Sequence, residues 1–156
     1  MADLVKVLVV GDGPVTDALV PMVSALGWAV SSSSEVSSPV DAVIVTSHHE
    51  DVDGPAIKAA LALGTEYVGA MGSRRTQARR REWLLANGVS ASALGALHAP
   101  IGLDIGADEP GEIAISILAE IVAVRRGRLS GVTSISERDG AIHPELAPGE
   151  ATCPGG

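Results

Sequence analysis

The sequence has one cysteine, Cys153, in 156 residues, and that cysteine lies in a Pro/Gly-rich stretch near the end. A disulfide framework and the paired cysteines of a structural zinc site are both excluded, and the thiol is expected to be inert. No apolar run reaches the ~18 residues a membrane-spanning helix needs, although 46% of the chain is hydrophobic. Met1-Ala-Asp-Leu-Val-Lys6 leads straight into a strand pattern without a signal-peptide profile, so the expectation is a cytoplasmic protein with no membrane partner. Positive charge is scarce too. Eleven Lys and Arg against 19 Asp and Glu leave a net charge of −8, which opposes general binding of nucleic acid through its phosphates. There is no internal repeat.

What the chain does have is an alternation of strand and helix. Lys6-Val-Leu-Val-Val10 is a continuous apolar run, and Gly11-Asp-Gly13-Pro14 turns it into the helical pattern Val15, Leu19, Val23, Leu26, which stops at Gly27. Trp28-Ala-Val30 reads as a second strand, Ser31 to Ser38 as a serine-rich connector, and Ala42-Val-Ile-Val45 as a third strand. A helix over about 54–63, a fourth strand at Tyr67–Met71, an arginine-rich helix ending at Asn87-Gly88, one turn at Ser90–Leu94 and a short strand at Ala96–His98 follow. The last helix, about Glu109 to Arg126, has Asp108 as N-cap, Pro110 in its first turn and Gly127 past a basic end. This alternation predicts one three-layer α/β/α, Rossmann-like domain over 1–126 with a mostly parallel sheet. Residues 127–156, rich in Gly, Pro and mixed charge, are expected to form a loosely ordered tail. Trp28 and Trp83 read as packing residues.

Right-handed crossovers place the strand-to-helix loops on one edge of such a sheet, where ligands bind. Four loops converge there: Gly11–Pro14, Ser47–Asp53, Gly72–Arg75 and Pro100–Asp108. The first is a G-x-G-x-x-G-like turn with Thr16 in the third glycine position, so Gly11 and Gly13 are candidates to bring backbone N–H groups to a pyrophosphate. Against that, Asp12 repels phosphate and no carboxylate closes the second strand to hold a ribose, Glu35 coming too late; a structural turn is the alternative. In Gly72-Ser73-Arg74-Arg75, the arginines oppose the helix macrodipole by roughly 0.3–1 kcal/mol each. An anion bound there offsets that cost, whereas Arg79 to Arg81 are expected on the solvated face.

His48 is a candidate hydrogen-bonding or acid–base group. His48, His49, Glu50, Asp51 and Asp53 fix no metal geometry, because adjacent residues point apart, and no nucleophile has an oriented base, so no metal site and no catalytic residue is assigned. Gly102 and Gly106 permit positive φ on either side of Asp104, which either accepts ligand hydroxyls or amines or caps the turn. Asp108, Glu109 and Glu112 already satisfy the last helix start, so phosphate is assigned to the Gly11 and Gly72 loops and the non-phosphate side of a ligand to Gly102–Gly106. That helix is apolar around most of its circumference, with a narrow polar line at Glu112, Ser116 and Glu120. It is expected to be buried against the sheet or another copy of the chain.

Ser47-His48 with Asp53, Tyr67-Val-Gly-Ala-Met-Gly-Ser-Arg-Arg75, Leu84, Gly88, His98-Ala-Pro-Ile-Gly-Leu-Asp-Ile-Gly106 and Pro110-Gly-Glu-Ile-Ala-Ile-Ser-Ile-Leu-Ala-Glu120 resemble one known family. It is the C-terminal Rossmann domain of the XdhC/CoxI accessory proteins, matched from about Ala42 to Arg126. The resemblance implies a chaperone-like role in maturing a molybdenum hydroxylase of the xanthine or carbon monoxide dehydrogenase type. Such a protein holds the molybdenum cofactor, as molybdopterin or its cytosine dinucleotide, helps it acquire its terminal sulfur, and delivers it to the apo-enzyme. The phosphate of either form suits Arg74 and Arg75 chemically.

The sequence departs from the family at Pro14, where the family has His, at the serine run in place of an acidic residue, and at Ser47-His48-His49 in place of Thr-His-Asp. The family's N-terminal domain has no counterpart here, so the expectation is either a lone half that works with a separate N-terminal-domain accessory protein as partner or a paralogue that has lost cofactor transfer. Two other readings stand beside this one. Gly11-x-Gly13 after a strand fits an NAD(P)-binding oxidoreductase, and the apolar last helix fits a self-associating scaffold without ligand; a homo-oligomer is expected of the accessory protein too.

Overall fold

Strands made of unbroken Val, Ile and Ala runs belong in the middle of a sheet covered on both faces. In a computed structural model of the protein, described over residues 4–143, the strands β1 (Lys6–Val10), β2 (Ala29–Ser32), β3 (Ala42–Val45), β4 (Tyr67–Ala70) and β5 (Leu97–His98) form one sheet. The order is β2-β1-β3-β4-β5 and every pairing is parallel. β3 and β4 are buried at every position.

The helices are α1 (Pro14–Ala25), α2 (Glu50–Ala62), α3 (Arg74–Ala86), the short α4 (Ala91–Leu94) and α5 (Pro110–Arg125). On one face, Leu19 and Val23 of α1 and Ile117 and Ile121 of α5 pack over Val7, Val9, Ile44 and Tyr67. On the other, Ile57 and Ala60 of α2, Leu84 of α3 and Leu94 of α4 cover Leu8, Val10, Val43 and Val68. The chain contains no phenylalanine, so both layers are held mainly by aliphatic burial, worth about 1.5–3 kcal/mol per fully buried side chain. This is the Rossmann-like α/β/α arrangement expected, with a sheet that is wholly parallel.

α2 begins four residues before the glycine that suggested its start. Glu50, Asp51 and Asp53 occupy its first turn and complement the dipole. Gly54 lies inside the helix because Trp83 of α3 packs on it: a Cβ there would stand 2.6 Å from the indole ring.

Beyond α5 the chain makes two 3₁₀ turns, Leu129–Gly131 and Ile135–Glu137, and returns to the sheet edge, where Leu103 and Ser134 form an antiparallel bridge. Cys153 lies outside the described residues. Among those described, no helix is long and apolar enough to cross a membrane. The loops leaving β1, β3, β4 and β5 all emerge at the C-terminal edge, and the strand order reverses between β1 and β3, the position where doubly wound sheets take their ligands. A groove lined by Leu4, Leu26, Trp28, Val122 and Arg125 opens at the opposite edge, away from these loops.

Candidate functional site

The first two loops are packed against each other. Gly11 has φ +126°, and a Cβ on it would come within 2.4 Å of the Ser47 nitrogen. Its lack of a side chain therefore serves the approach of the β1 loop to the β3 loop. Thr16 reinforces the join: its hydroxyl donates to the Gly11 carbonyl at 3.2 Å and shares a 2.8 Å hydrogen bond with the Thr46 hydroxyl. Gly13, φ +114°, caps α1 ahead of Pro14 without a side-chain hydrogen bond. His48 is half-buried in the second loop, and the Ser47 hydroxyl beside it accepts from the His49 N–H at 3.1 Å.

The third loop opens α3, whose first turn carries no acidic residue, in contrast to those of α1, α2 and α5. Ser73 caps it by accepting from the Thr76 N–H at 3.2 Å. Gln77 donates to the carbonyls of Ala70 and Gly72 and so fixes the bend. Arg75 is exposed. Arg74 is half-buried and binds three backbone carbonyls of the segment beyond α5: Nε donates to Gly140 at 3.2 Å, and Nη2 donates to Ile135 at 2.9 Å and to Arg138.

Arg80 corrects the reading that placed Arg79 to Arg81 at the surface. It is 6% exposed and pairs with the buried Asp53 of α2 at 2.7 Å. Its guanidinium also donates to the carbonyl of Ser47 at 2.9 Å and to that of Met71. One side chain thus ties the β3 loop, the β4 loop and α2 together. Arg79 is exposed as expected, at 3.5 Å from an exposed Glu50. Helical periodicity puts the two neighbours about 100° apart, so a run of arginines has one member facing inward.

The fourth loop rests on a buried polar cluster. Glu120 of α5 is fully buried; its Oε1 accepts from the Tyr67 hydroxyl at 2.6 Å and from the Gly102 N–H at 3.1 Å, and lies 3.6 Å from His98 Nδ1. The His98 ring stacks on Tyr67, with centroids 4.7 Å apart. Burial, then the charge and the hydrogen bond of Glu120, hold the Tyr67 hydroxyl well above its ordinary pKa. Gly102, φ +102°, has no room for a side chain, since a Cβ would meet the Ser116 hydroxyl at 2.6 Å, whereas Gly106, φ +75°, faces open space.

The expected polar line of α5 is present but turned inward at Ser116 and Glu120, while Ile115 and Val122 are exposed. The reason is the loop above them. Gly102 N–H needs a buried acceptor, and Leu103 N–H bonds to the Ser116 carbonyl. The cap of α5 is Glu109, one residue later than Asp108. Glu112 accepts from the N–H groups of Glu109 and Asp108, which lowers its carboxyl pKa.

Asp104 is tied by its N–H to the Thr133 carbonyl at 2.7 Å and by its carboxylate to Arg138 at 2.7 Å. The candidate residues therefore all lie on one edge. Gly11 meets the Ser47 backbone directly, Arg80 links the Ser47 and Gly72 loops, and the segment 133–140 joins Arg74 to the Gly102–Asp104 turn.

A family model, the XdhC Rossmann domain, matches residues 7–121. The chain belongs to the XdhC family. Its 88 residues aligned to a probable xanthine dehydrogenase subunit of Bacillus subtilis are 36% identical and cover 56% of this chain and 24% of that one. Against the molybdenum cofactor insertion chaperone PaoD of Escherichia coli, 98 residues are 32% identical and cover 63% of this chain and 30% of PaoD. The chain thus spans a third or less of these relatives. A crystal structure described as a xanthine dehydrogenase from Bacillus halodurans has the same fold, with TM-score 0.64 at 24% identity over 81% of this chain and 44% of that one.

Within this XdhC domain, the sequence pattern marks neither the Tyr67–His98–Glu120 cluster nor Arg138 as site residues, and it places Arg80 on the solvated face. Two signals were available. Glu120 ends a narrow polar line bordered by Ile117 and Ile121 on a helix otherwise apolar around its circumference, and Asp53 at a helix start precedes an arginine-rich helix with a buried face. For Arg138 there was no signal, because a contact from beyond α5 carries no periodicity.

Proposed function

We propose that this XdhC domain serves the maturation of a molybdenum hydroxylase as a non-enzymatic accessory protein that holds molybdopterin, or its cytosine dinucleotide, along the C-terminal edge of the sheet. The reading is supported by the names of its relatives and carried by one observation. Among the long helices described, α3 alone has no carboxylate in its first turn, and it starts with Arg74 and Arg75. A helix N-terminus with two guanidinium groups is a phosphate site in chemical terms, and the residues present therefore fit a phosphate-bearing cofactor. Ser73, Arg74 and Arg75 would hold the phosphate, with Gly72 allowing close approach. Gly11, Gly13 and His48 would line the neighbouring wall, and the Gly102–Gly106 turn would offer Asp104 to the polar ring. The cofactor supplies redox chemistry to the hydroxylase that receives it; this chain's residues bind and orient. The apo-hydroxylase is the partner, and the exposed Ile115 and Val122 of α5 would support a homo-oligomer.

NAD(P) is the comparison ligand, since Gly11-x-Gly13 follows β1. β2, however, ends on exposed serines rather than on a carboxylate placed for a ribose hydroxyl. Calorimetric titration of the purified chain with molybdopterin, its cytosine dinucleotide and NAD(P)+ tests the reading, alongside an Arg74→Ala/Arg75→Ala variant. Binding of a pterin form, weakened at least tenfold in the double variant, is expected. Failure to bind either pterin form, or binding indifferent to the two arginines, overturns it.

A further inference from the structure

We infer that residues 133–140 form an internal strap that occupies the ligand positions of this edge, presenting carbonyl oxygens to Arg74 and a guanidinium to Asp104, and that a pterin phosphate binds by displacing it. The inference rests on the phosphate reading given above for the Arg74 loop and adds to it both a ligand chemistry at Asp104 and a control of access.

The geometry argues for competition. Arg74 meets the strap through Nε and Nη2, its donors to Gly140, Ile135 and Arg138. Those two nitrogens form the edge with which a guanidinium grips a phosphate in a bidentate manner. An anion cannot take that edge while the carbonyls hold it. At the other end of the strap, Arg138 Nε lies 2.7 Å from Asp104 Oδ2. Arg138 meets the carboxylate through Nε alone, its Nη1 and Nη2 donating to the carbonyls of Ala141 and Ile142; a pterin likewise brings guanidine-type nitrogens to a carboxylate, through the edge of its 2-amino group and N3–H. Cytosine has no such edge, since its N3 accepts. Asp104 with Arg138 removed is therefore a receptor for the pterin end and indifferent to the nucleotide end.

Apart from the contacts of Arg74 and Arg138, the strap is held by the Ile135 N–H donating to the Gly102 carbonyl at 3.0 Å and by the Thr133 carbonyl accepting from Asp104 N–H, around a single antiparallel bridge. Most of this segment is half-exposed or exposed, with no hydrophobic anchor among the buried core residues. Local opening of such a segment is easy compared with opening the sheet.

The test uses the full chain with three probes: 6-hydroxymethylpterin diphosphate, cytidine diphosphate and inorganic pyrophosphate. Arg138→Ala is expected to tighten pyrophosphate and the pterin diphosphate by about tenfold, the factor for a strap closed about nine-tenths of the time. Loss of a cation by itself weakens anion binding, so the sign separates strap release from simple electrostatics. Asp104→Ala is expected to tighten pyrophosphate and cytidine diphosphate but not the pterin probe, which loses its partner. In the unsubstituted chain, saturating pterin diphosphate is expected to raise amide hydrogen exchange at Ile135.

If the probes bind in an Arg74-dependent way while Ile135 exchange and the Arg138→Ala affinities stay unchanged, the strap is refuted and the phosphate site survives. If Arg74→Ala leaves probe binding unaltered, or no probe binds, the phosphate site falls and the strap with it.

Discussion

Removing Asp53 should destabilise the domain more than any surface change near the site. Asp53 and Arg80 are 3% and 6% exposed and 2.7 Å apart. Asp53→Ala leaves the guanidinium buried with only the Ser47, Met71 and Gln77 oxygens as acceptors. Breaking a buried pair from one side costs about 3–5 kcal/mol, because the remaining charge is uncompensated. Against a total stability of about 5–15 kcal/mol the variant folds, but with a large deficit. For a urea slope of about 1.5–2 kcal/mol/M, the midpoint falls by roughly 2 M.

The sign reverses when both charges go. Asp53→Val/Arg80→Met is expected nearer to the parent than Asp53→Ala is, since a buried ion pair replaced by apolar groups is often neutral. The adjacent arginine provides the control: Arg79 pairs with Glu50 at 3.5 Å, both largely exposed, and Arg79→Ala should change stability by no more than about 0.5 kcal/mol. Urea denaturation followed by circular dichroism measures all three. An Asp53→Ala variant within about 1 kcal/mol of the parent, or a double variant worse than the single one, would refute the argument.

Two further expectations concern the fourth loop. Gly102→Ala combines a positive φ, at about 1–2 kcal/mol, with a contact at 2.6 Å to Ser116, so it should lose about 2–5 kcal/mol in the same assay, whereas Gly106→Ala should lose only about 1 kcal/mol; equal losses would contradict the packing described. Tyr67 is the only tyrosine of the chain, and its raised pKa means that the folded state keeps a proton the unfolded state gives up. Its contribution to stability is complete below about pH 10 and is lost as pH rises above it. Tyrosinate absorbance should therefore appear only together with unfolding, and a free titration near pH 10 in the folded protein would show that the hydroxyl is not sequestered.

The strands were legible because burial on both faces leaves unbroken apolar runs: Ala42–Val45 is a strand in the sequence pattern and in the structure alike. The edge loops were legible for a related reason. Glycines at 11, 13, 72, 102 and 106 all adopt positive φ, and a parallel α/β chain brings such turns to one side. What the glycines do there was not legible. Gly11 and Gly102 are forced by Ser47 and Ser116, residues distant in sequence, while Gly106 is forced only by its own turn. Gly54 looks like a helix start in the sequence, yet it makes room for an indole from another helix.

Polar residues were the hardest to place, for a physical reason. An apolar side chain has one preferred environment, whereas a charged one goes wherever its partner is. Glu120 falls on a polar line in the sequence because its hydrophobic neighbours leave it that face. It is inside because the Gly102 N–H and the Tyr67 hydroxyl, 18 and 53 residues away, need an acceptor there. The same logic governs Arg74. Its position at an acid-free helix start identifies a guanidinium in want of oxygen atoms, and the carbonyls of the segment at 135–140 meet that want within the chain itself.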